Sequence, residues 1–166
     1  VFTPGYRWGT SLIPGDEILK DNVYEMTAIT YPEVYTFELS GGVIAKLLED
    51  IADNVFNENP LYQQGGDMSR LTGASYSIKV GEKSGKRISE LMIGGKPIDL
   101  KKTYSVSSWG GNLQNAGENL DEKKIRAVYE VVSDYIRAKK VVDISLESNV
   151  KILDYGCGCP KKGATC

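Results

Sequence analysis

Between Ser40 and Asn57 the apolar residues Val43, Ile44, Leu47, Leu48, Ile51, Ala52, Val55 and Phe56 recur at steps of three and four. Lys46, Glu49, Asp50, Asp53 and Asn54 fill the positions between them. A strand cannot gather that pattern on one face, because its side chains alternate with a period of two. The spacing predicts an amphipathic helix over Val43 to Phe56, with Leu47 and Leu48 both turned to a core. Its acidic residues are expected to form a solvated face, not a carboxylate dyad. Ser40 is the expected N-cap, or the residue before one at Gly41. Just upstream, Glu33 to Leu39 alternates polar and apolar side chains, which predicts a strand feeding the helix.

The remaining punctuation mixes strands and helices. Ile18 to Met26 is expected to be a short helix or turn, capped by Asp21 or Asn22. Ile29 to Pro32 must be extended, since the residue before proline avoids helical dihedrals. Ala74 to Val80 and Arg87 to Ile93 predict a hairpin around Gly81-Glu82-Lys83-Ser84-Gly85. Gly94-Gly95-Lys96-Pro97 predicts another turn, and Thr103 to Ser108 a further strand ending at Trp109-Gly110-Gly111-Asn112. A second helix is expected from a cap at Asp121 to about Lys140, then one or two short strands between Asp143 and Leu153. Without regular βαβ alternation the class is α+β. Residues 1–155 read as one domain and 156–166 as a mobile tail.

Composition narrows the function classes. Lys plus Arg number 20 and Asp plus Glu 22, for a formal charge of −2, which argues against a general nucleic-acid binder. No apolar run approaches the roughly 20 residues that span a bilayer. The chain has no histidine, so imidazole serves neither as base nor as metal ligand. It opens at Val1-Phe2-Thr3-Pro4, which reads as the end of a strand and suggests a processed chain or an excised domain.

Two arginines stand among glycines. Arg7 and Trp8 lie in Gly5-Tyr6-Arg7-Trp8-Gly9, and Arg70 closes Gln63-Gln64-Gly65-Gly66-Asp67-Met68-Ser69-Arg70. Such loops let an anionic group reach both a guanidinium fork and bare backbone N–H groups. The paired glutamines suit a polar ligand. The plainer readings are an arginine stacked on Trp8 and an elaborate turn. Trp109 offers a ligand wall or, more plainly, a buried strand end. Cys157, Cys159 and Cys166 fall short of a zinc site, which wants four ligands. One disulfide with a spare thiol, or simple terminal flexibility, fits them better. No GxGxxG or GxxxxGK[ST] loop occurs.

The order of Gly5-Tyr6-Arg7, Gly15-Asp16-Glu17-Ile18, Thr30-Tyr31-Pro32, Glu38-Leu39-Ser40-Gly41, Leu47-Leu48-Glu49-Asp50, Lys96-Pro97-Ile98-Asp99 and Lys102-Thr103-Tyr104 resembles the C-terminal domain of the 5′-nucleotidase family over about residues 3–153. Longer matches resemble its SoxB branch, the sulfate thiohydrolases of bacterial thiosulfate oxidation. These are Arg7-Trp8-Gly9-Thr10, Leu12-Ile13-Pro14-Gly15, Thr27 to Pro32, Leu48 to Asn54 and Tyr62 to Met68.

The resemblance implies mixed sheets packed with two main helices, and a partner domain. Family members carry an N-terminal metallophosphatase-like domain with two divalent metals, manganese or zinc, while the C-terminal domain recognises substrate. This chain is therefore expected to hold no cofactor and to be inactive alone. Arg7 matches the family arginine that contacts the substrate's anionic group. Where nucleotidases sandwich a base between two phenylalanines, this chain has Met68 and the Trp109-Gly110-Gly111-Asn112 segment. The SoxB branch instead releases sulfate from a cysteine-linked sulfur chain on the SoxYZ carrier, in the periplasm. The implied substrate-binding residues are Arg7, Trp8, Gln64, Gly65, Gly66, Asp67, Met68, Arg70 and Trp109, with no catalytic or metal-ligating residue. The rivals are a 5′-nucleotidase or other phosphoesterase, and a non-catalytic module that docks a carrier protein or an oligosaccharide.

Overall fold

Helix α2 (Gly41–Phe56) is the element on which two sheets assemble. The structure, a computed structural model, describes residues 1–3, 9, 11–27, 33–109, 117–144 and 148–154. Ser40 caps α2 in extended geometry, its Oγ accepting from the Val43 N–H at 3.3 Å. The next free donors, Gly41 N and Gly42 N, reach the carbonyls of Lys102 and Leu100, each at 2.9 Å. The helix start is thereby both satisfied and docked. Gly41, Ile44, Leu48 and Ala52 are its buried line. Leu48 is fully buried, whereas Leu47 is only partly buried at the rim of the core. The expected pair is thus split: one leucine sits on the stripe's axis and the other on its shoulder.

The first sheet runs β3 (Arg70–Leu71), β1 (Phe2–Thr3), β7 (Thr103–Trp109), β2 (Glu33–Ser40), β8 (Arg126–Ala127). β2 and β7 form its long antiparallel centre, from Val34 opposite Trp109 to Ser40 opposite Thr103. The Thr36 and Ser107 hydroxyls meet at 3.1 Å across that pair. β1 runs parallel to β7 and antiparallel to β3. The second sheet runs β6 (Lys96–Pro97), β5 (Ile88–Ile93), β4 (Ala74–Ile78), β9 (Val150–Ile152), with β9 parallel to β4. Both sheets are mixed and three α-helices accompany them among the described residues, so the α+β class stands. β5 and β6 are joined by Gly94-Gly95 at φ 58° and 74°, the two left-handed positions a tight two-residue hairpin demands.

The core lies between the sheets and α2. Phe2, Phe37, Leu39, Leu71 and Val106 come from the first sheet, and Tyr76, Ile78 and Leu91 from the second. They close over Ile44, Leu48 and Ala52. Removing such apolar surface from water supplies the main drive for folding, at about 25 cal/mol per Å². Outside this core, α1 (Lys20–Thr27) packs on α3 (Val128–Lys139), with the Tyr24 and Tyr129 rings 5.1 Å apart and tilted by 46°. At the start of α1 the Asn22 side chain reaches back to accept from the Leu19 N–H at 2.8 Å.

Two further expectations are corrected. The second predicted helix does not start at Asp121. Residues 122–124 form a 3-10 turn, Arg126–Ala127 pair with β2, and α3 begins only at Val128. Asp121 pairs with Lys124 at 2.9 Å instead of capping. The acidic residues of α2 are not all solvated, as Glu49 and Asp53 turn inward to the β4–β5 hairpin. Between Asp143 and Leu153 the described residues hold one strand, β9. Two residues after it comes Asp154, whose carboxylate accepts from Val80 N at 2.8 Å and Gly81 N at 2.6 Å. The cysteine-containing tail lies outside the described residues.

Candidate substrate-recognition site

Strand register brings the separated motifs to one end of the first sheet. Arg70 pairs with Thr3 across β3 and β1. Phe2 pairs in parallel with Ser108, so Thr3 stands alongside Trp109 one position on. Trp109 in turn faces Val34, and Val34 faces Arg126. Arg70, Thr3, Trp109, Val34 and Arg126 thus form a row across all five strands. With strands about 4.8 Å apart, Arg70 and Trp109 are about 10 Å apart along it. Arg7 and Trp8 lie outside the described residues. In sequence Arg7 follows Thr3 by four positions.

The glycine-rich loop is built by pinning its first half to the C-terminal turn of α2. Asn57 follows the helix and returns its N–H to the Asp53 carbonyl at 3.0 Å. Gln63 Nε2 donates to the Asn57 carbonyl at 2.6 Å, and Gly65 N to the Asn54 carbonyl at 3.3 Å. Gly65 and Gly66, at φ 78° and 96°, then reverse the chain through dihedrals that other residues adopt at a cost. Gln64, Gly65, Gly66 and Asp67 are exposed. Met68 differs: it is partly buried and packs against the core, anchoring the loop's second half. Arg70 is exposed at the start of β3, with its Nη1 3.8 Å from Asp67 Oδ2. Trp109 is buried at the end of β7.

The two arginines at the ends of the row have different surroundings. Arg126 Nη2 donates to Asp134 Oδ2 at 2.6 Å, and Glu130 lies 3.8 Å from its Nε, so α3 neutralises it. The hydrogen bond from Arg126 holds the Asp134 carboxyl below the usual carboxylate range. Arg70 Nη1 lies 3.8 Å from Asp67 Oδ2, at the close of the glycine-rich loop. A groove of about 950 Å³ runs elsewhere, between residues 12–19 and the C-terminal end of α3, and no candidate site residue lines it.

Sequence reasoning missed Arg87. It is buried, with 2% of its side chain exposed, and all three guanidinium nitrogens are used. Nη1 donates to Asp53 Oδ1 at 2.7 Å, Nη2 to the Phe56 carbonyl at 3.1 Å and Nε to the Val80 carbonyl at 3.3 Å. Glu49 completes the junction by accepting from Arg87 N at 3.2 Å and Ile88 N at 2.7 Å. The Arg87 hydrogen bond is the main reason the Asp53 carboxyl is held below its ordinary range, with the Asn57 amide adding to it against partial burial. The available signal was Glu49 and Asp53, one helical turn apart on the flank of the apolar stripe.

No described group of three or more His, Cys, Asp or Glu side chains is placed to hold a metal ion.

Comparison with known proteins follows the same lines. The family described as 5′-nucleotidase, C-terminal domain matches residues 2–122. A comparison with curated proteins finds no sequence match. Among solved structures, Thermus thermophilus sulfate thiohydrolase SoxB, in complex with glycerol, is 41% identical with a TM-score of 0.87, covering 96% of this chain and 30% of that one. A 5′-nucleotidase precursor from Thermus thermophilus is 22% identical with a TM-score of 0.71, covering 93% and 31%. The Haemophilus influenzae NAD nucleotidase is 19% identical with a TM-score of 0.61, covering 81% and 26%. The chain spans less than a third of the length of each of these structures. The two lower identities speak to fold alone. With the family's pattern extending from the first strand to the 3-10 turn after β7, this chain belongs to the 5′-nucleotidase C-terminal domain family.

Proposed function

We propose that this chain is the substrate-recognition domain of a SoxB-like hydrolase, which releases sulfate from a cysteine-linked thiosulfonate on a SoxYZ-type carrier in the periplasm. One observation carries the reading: 41% identity to SoxB along 96% of the chain. The geometry supports it. Arg70 and the strand that leads to Arg7 meet at one sheet end, where the loop reversed by Gly65 and Gly66 closes. A sulfonate offers three oxygens and one charge, which suits a planar guanidinium fork and backbone donors together. Asp67 repels an anion, so its part is to orient Arg70.

The reacting centre belongs to the partner domain. An N-terminal metallophosphatase-like domain of the same protein would hold two divalent metals, manganese or zinc, and supply water activation. The chain's own share is to bind and orient the sulfonate. Neither nucleic acid nor membrane enters this reading.

A second reading is a 5′-nucleotidase, favoured by the shared fold with the two nucleotidases. Met68 weighs against it, because it packs on the core instead of standing free to stack on a base. The deciding experiment assays the full-length parent on a thiosulfonated SoxYZ carrier and on nucleoside monophosphates. Sulfate release with little phosphate release is expected. Preferential phosphate release would overturn the assignment.

A further inference from the structure

We propose that Arg87 is a positioning residue for the Gln63–Arg70 loop, acting through the C-terminal turn of α2; this rests on the recognition role of that loop proposed above.

The argument follows a chain of contacts. The last turn of a helix leaves carbonyl groups without intrahelical partners, and a cation there is favourable. Arg87 supplies that cation from a different element. Its fork ties the Phe56 carbonyl and the Asp53 carboxylate of α2 to the Val80 carbonyl of the β4–β5 hairpin. Glu49 locks the same junction one turn earlier, through the N–H groups of Arg87 and Ile88. The carbonyls that hold the loop, Asn54 for Gly65 and Asn57 for Gln63, come from the turn that Arg87 clamps. The loop's other end is fixed by β3 pairing with β1 and by Met68 in the core. Arg87 therefore sets where Gly65, Gly66 and Asp67 emerge, without touching substrate.

The chemistry explains why arginine is required. Lysine can keep the charge opposite Asp53, but it lacks the planar fork that reaches three acceptors in different directions. Arg87→Lys should preserve the fold while loosening the turn. Small displacements of positioning groups carry large penalties in substrate use.

The test uses the full-length parent with a SoxYZ carrier bearing a cysteine-linked thiosulfonate, reading sulfate release. Arg87→Lys is compared with Ile44→Val, a core change at the other end of α2. Arg87→Lys is expected to raise KM by about 5- to 20-fold, at or just below the loss of one charge-assisted hydrogen bond, with kcat little changed. Amide exchange at Gly65 should speed by about tenfold, a local loosening, while β2 and β7 keep their protection. Ile44→Val should lower the melting temperature and leave both readouts alone. Unchanged exchange at Gly65 in Arg87→Lys overturns the proposal. So does a KM that moves no further than in the Ile44→Val control. If the lysine variant fails to fold, Arg87→Met combined with Asp53→Asn removes both charges of the pair, and the same exchange readout decides. Arg70→Ala separates the two ideas. If it leaves KM unchanged, the recognition role of the loop is wrong. If it raises KM while Arg87→Lys does not, only the positioning role falls.

Discussion

Asp67 lies three residues before Arg70, with its carboxylate 3.8 Å from the guanidinium and both side chains more than half exposed. An exposed pair of this kind contributes at most about 1 kcal/mol to stability. Its value lies in direction, since the carboxylate biases where the fork points. In the full-length parent, Arg70→Ala should weaken substrate use by about 1.5–3 kcal/mol, the worth of a hydrogen bond to a charged group. Asp67→Asn keeps the shape and removes the repulsion toward an anion, so kcat/KM should change by less than about threefold. Equal losses in the two variants would mean that Asp67 touches substrate itself.

The helix phase gives a second prediction. Leu48 is fully buried on the axis of the apolar stripe, Leu47 sits on its shoulder and Lys46 is exposed. Leu48→Ala should cost about 2–5 kcal/mol in a denaturant melt, and Leu47→Ala clearly less. Lys46→Ala should stay within about 0.5 kcal/mol. Equal costs for the two leucines would mean the stripe is centred between them.

How far the sequence could be read follows the range of the interactions. Helix α2 and its Ser40 cap were legible because period and cap are local. The Gly94-Gly95 turn was legible because only a few dihedrals close a two-residue hairpin. The parallel pairings of β1 with β7 and β9 with β4 join residues far apart in sequence, and no local pattern encodes them. Residues 121–127 misled for a related reason. Asp121-Glu122-Lys123-Lys124 suits a helix, but Arg126 and Ala127 gain backbone partners in Val34 and Glu33 by staying extended. Arg87 looked like a charge beside a turn, and only the docking of α2 on the hairpin buries it. Of the candidate site, Gln64 to Arg70 and Trp109 could be placed by register and loop chemistry. Arg7 and Trp8 lie outside the described residues.

A third prediction concerns acid. The Asp53 carboxyl is held below its ordinary range, chiefly by Arg87, so the folded state favours its ionised form. The sign is that of a depressed carboxylate: its stabilisation is present above the unfolded value and is lost as pH falls through the folded one. Melting temperature should therefore decline below about pH 4, the ordinary carboxylate range. Asp53→Asn should be less stable at neutral pH and show a shallower decline on acidification. A parallel acid profile in the variant would assign the acid sensitivity to other carboxylates.

The chain's end supplies a fourth. Asp154 draws the Val80 and Gly81 N–H groups, the Gly81 bond being the main reason its carboxyl lies below the ordinary range. Truncation after Tyr155 keeps this contact and removes Cys157, Cys159 and Cys166. It should shift the melting temperature by less than about 2 °C, corresponding to under 1 kcal/mol. Truncation after Leu153 should cost visibly more. A large loss on truncation after Tyr155 would show that the cysteines contribute to the fold.

The last prediction concerns the two arginines together. Arg70 pairs with Thr3, and Arg7 follows Thr3 by four positions in sequence. Should both guanidinium groups bind the same anion, a sulfonate has oxygens for each. If they do, the second deletion finds the anion already poorly held, and the losses should not add. In the parent enzyme, Arg7→Ala, Arg70→Ala and the double variant form a cycle whose coupling should be about 0.5–3 kcal/mol in transition-state terms. Arg7→Lys should recover only part of the loss, because an ammonium cannot present two parallel donors. Additive effects within about 0.3 kcal/mol, the behaviour of independent sites, would place the two arginines on separate tasks. A structure of the parent soaked with thiosulfate would then show the anion on one arginine alone.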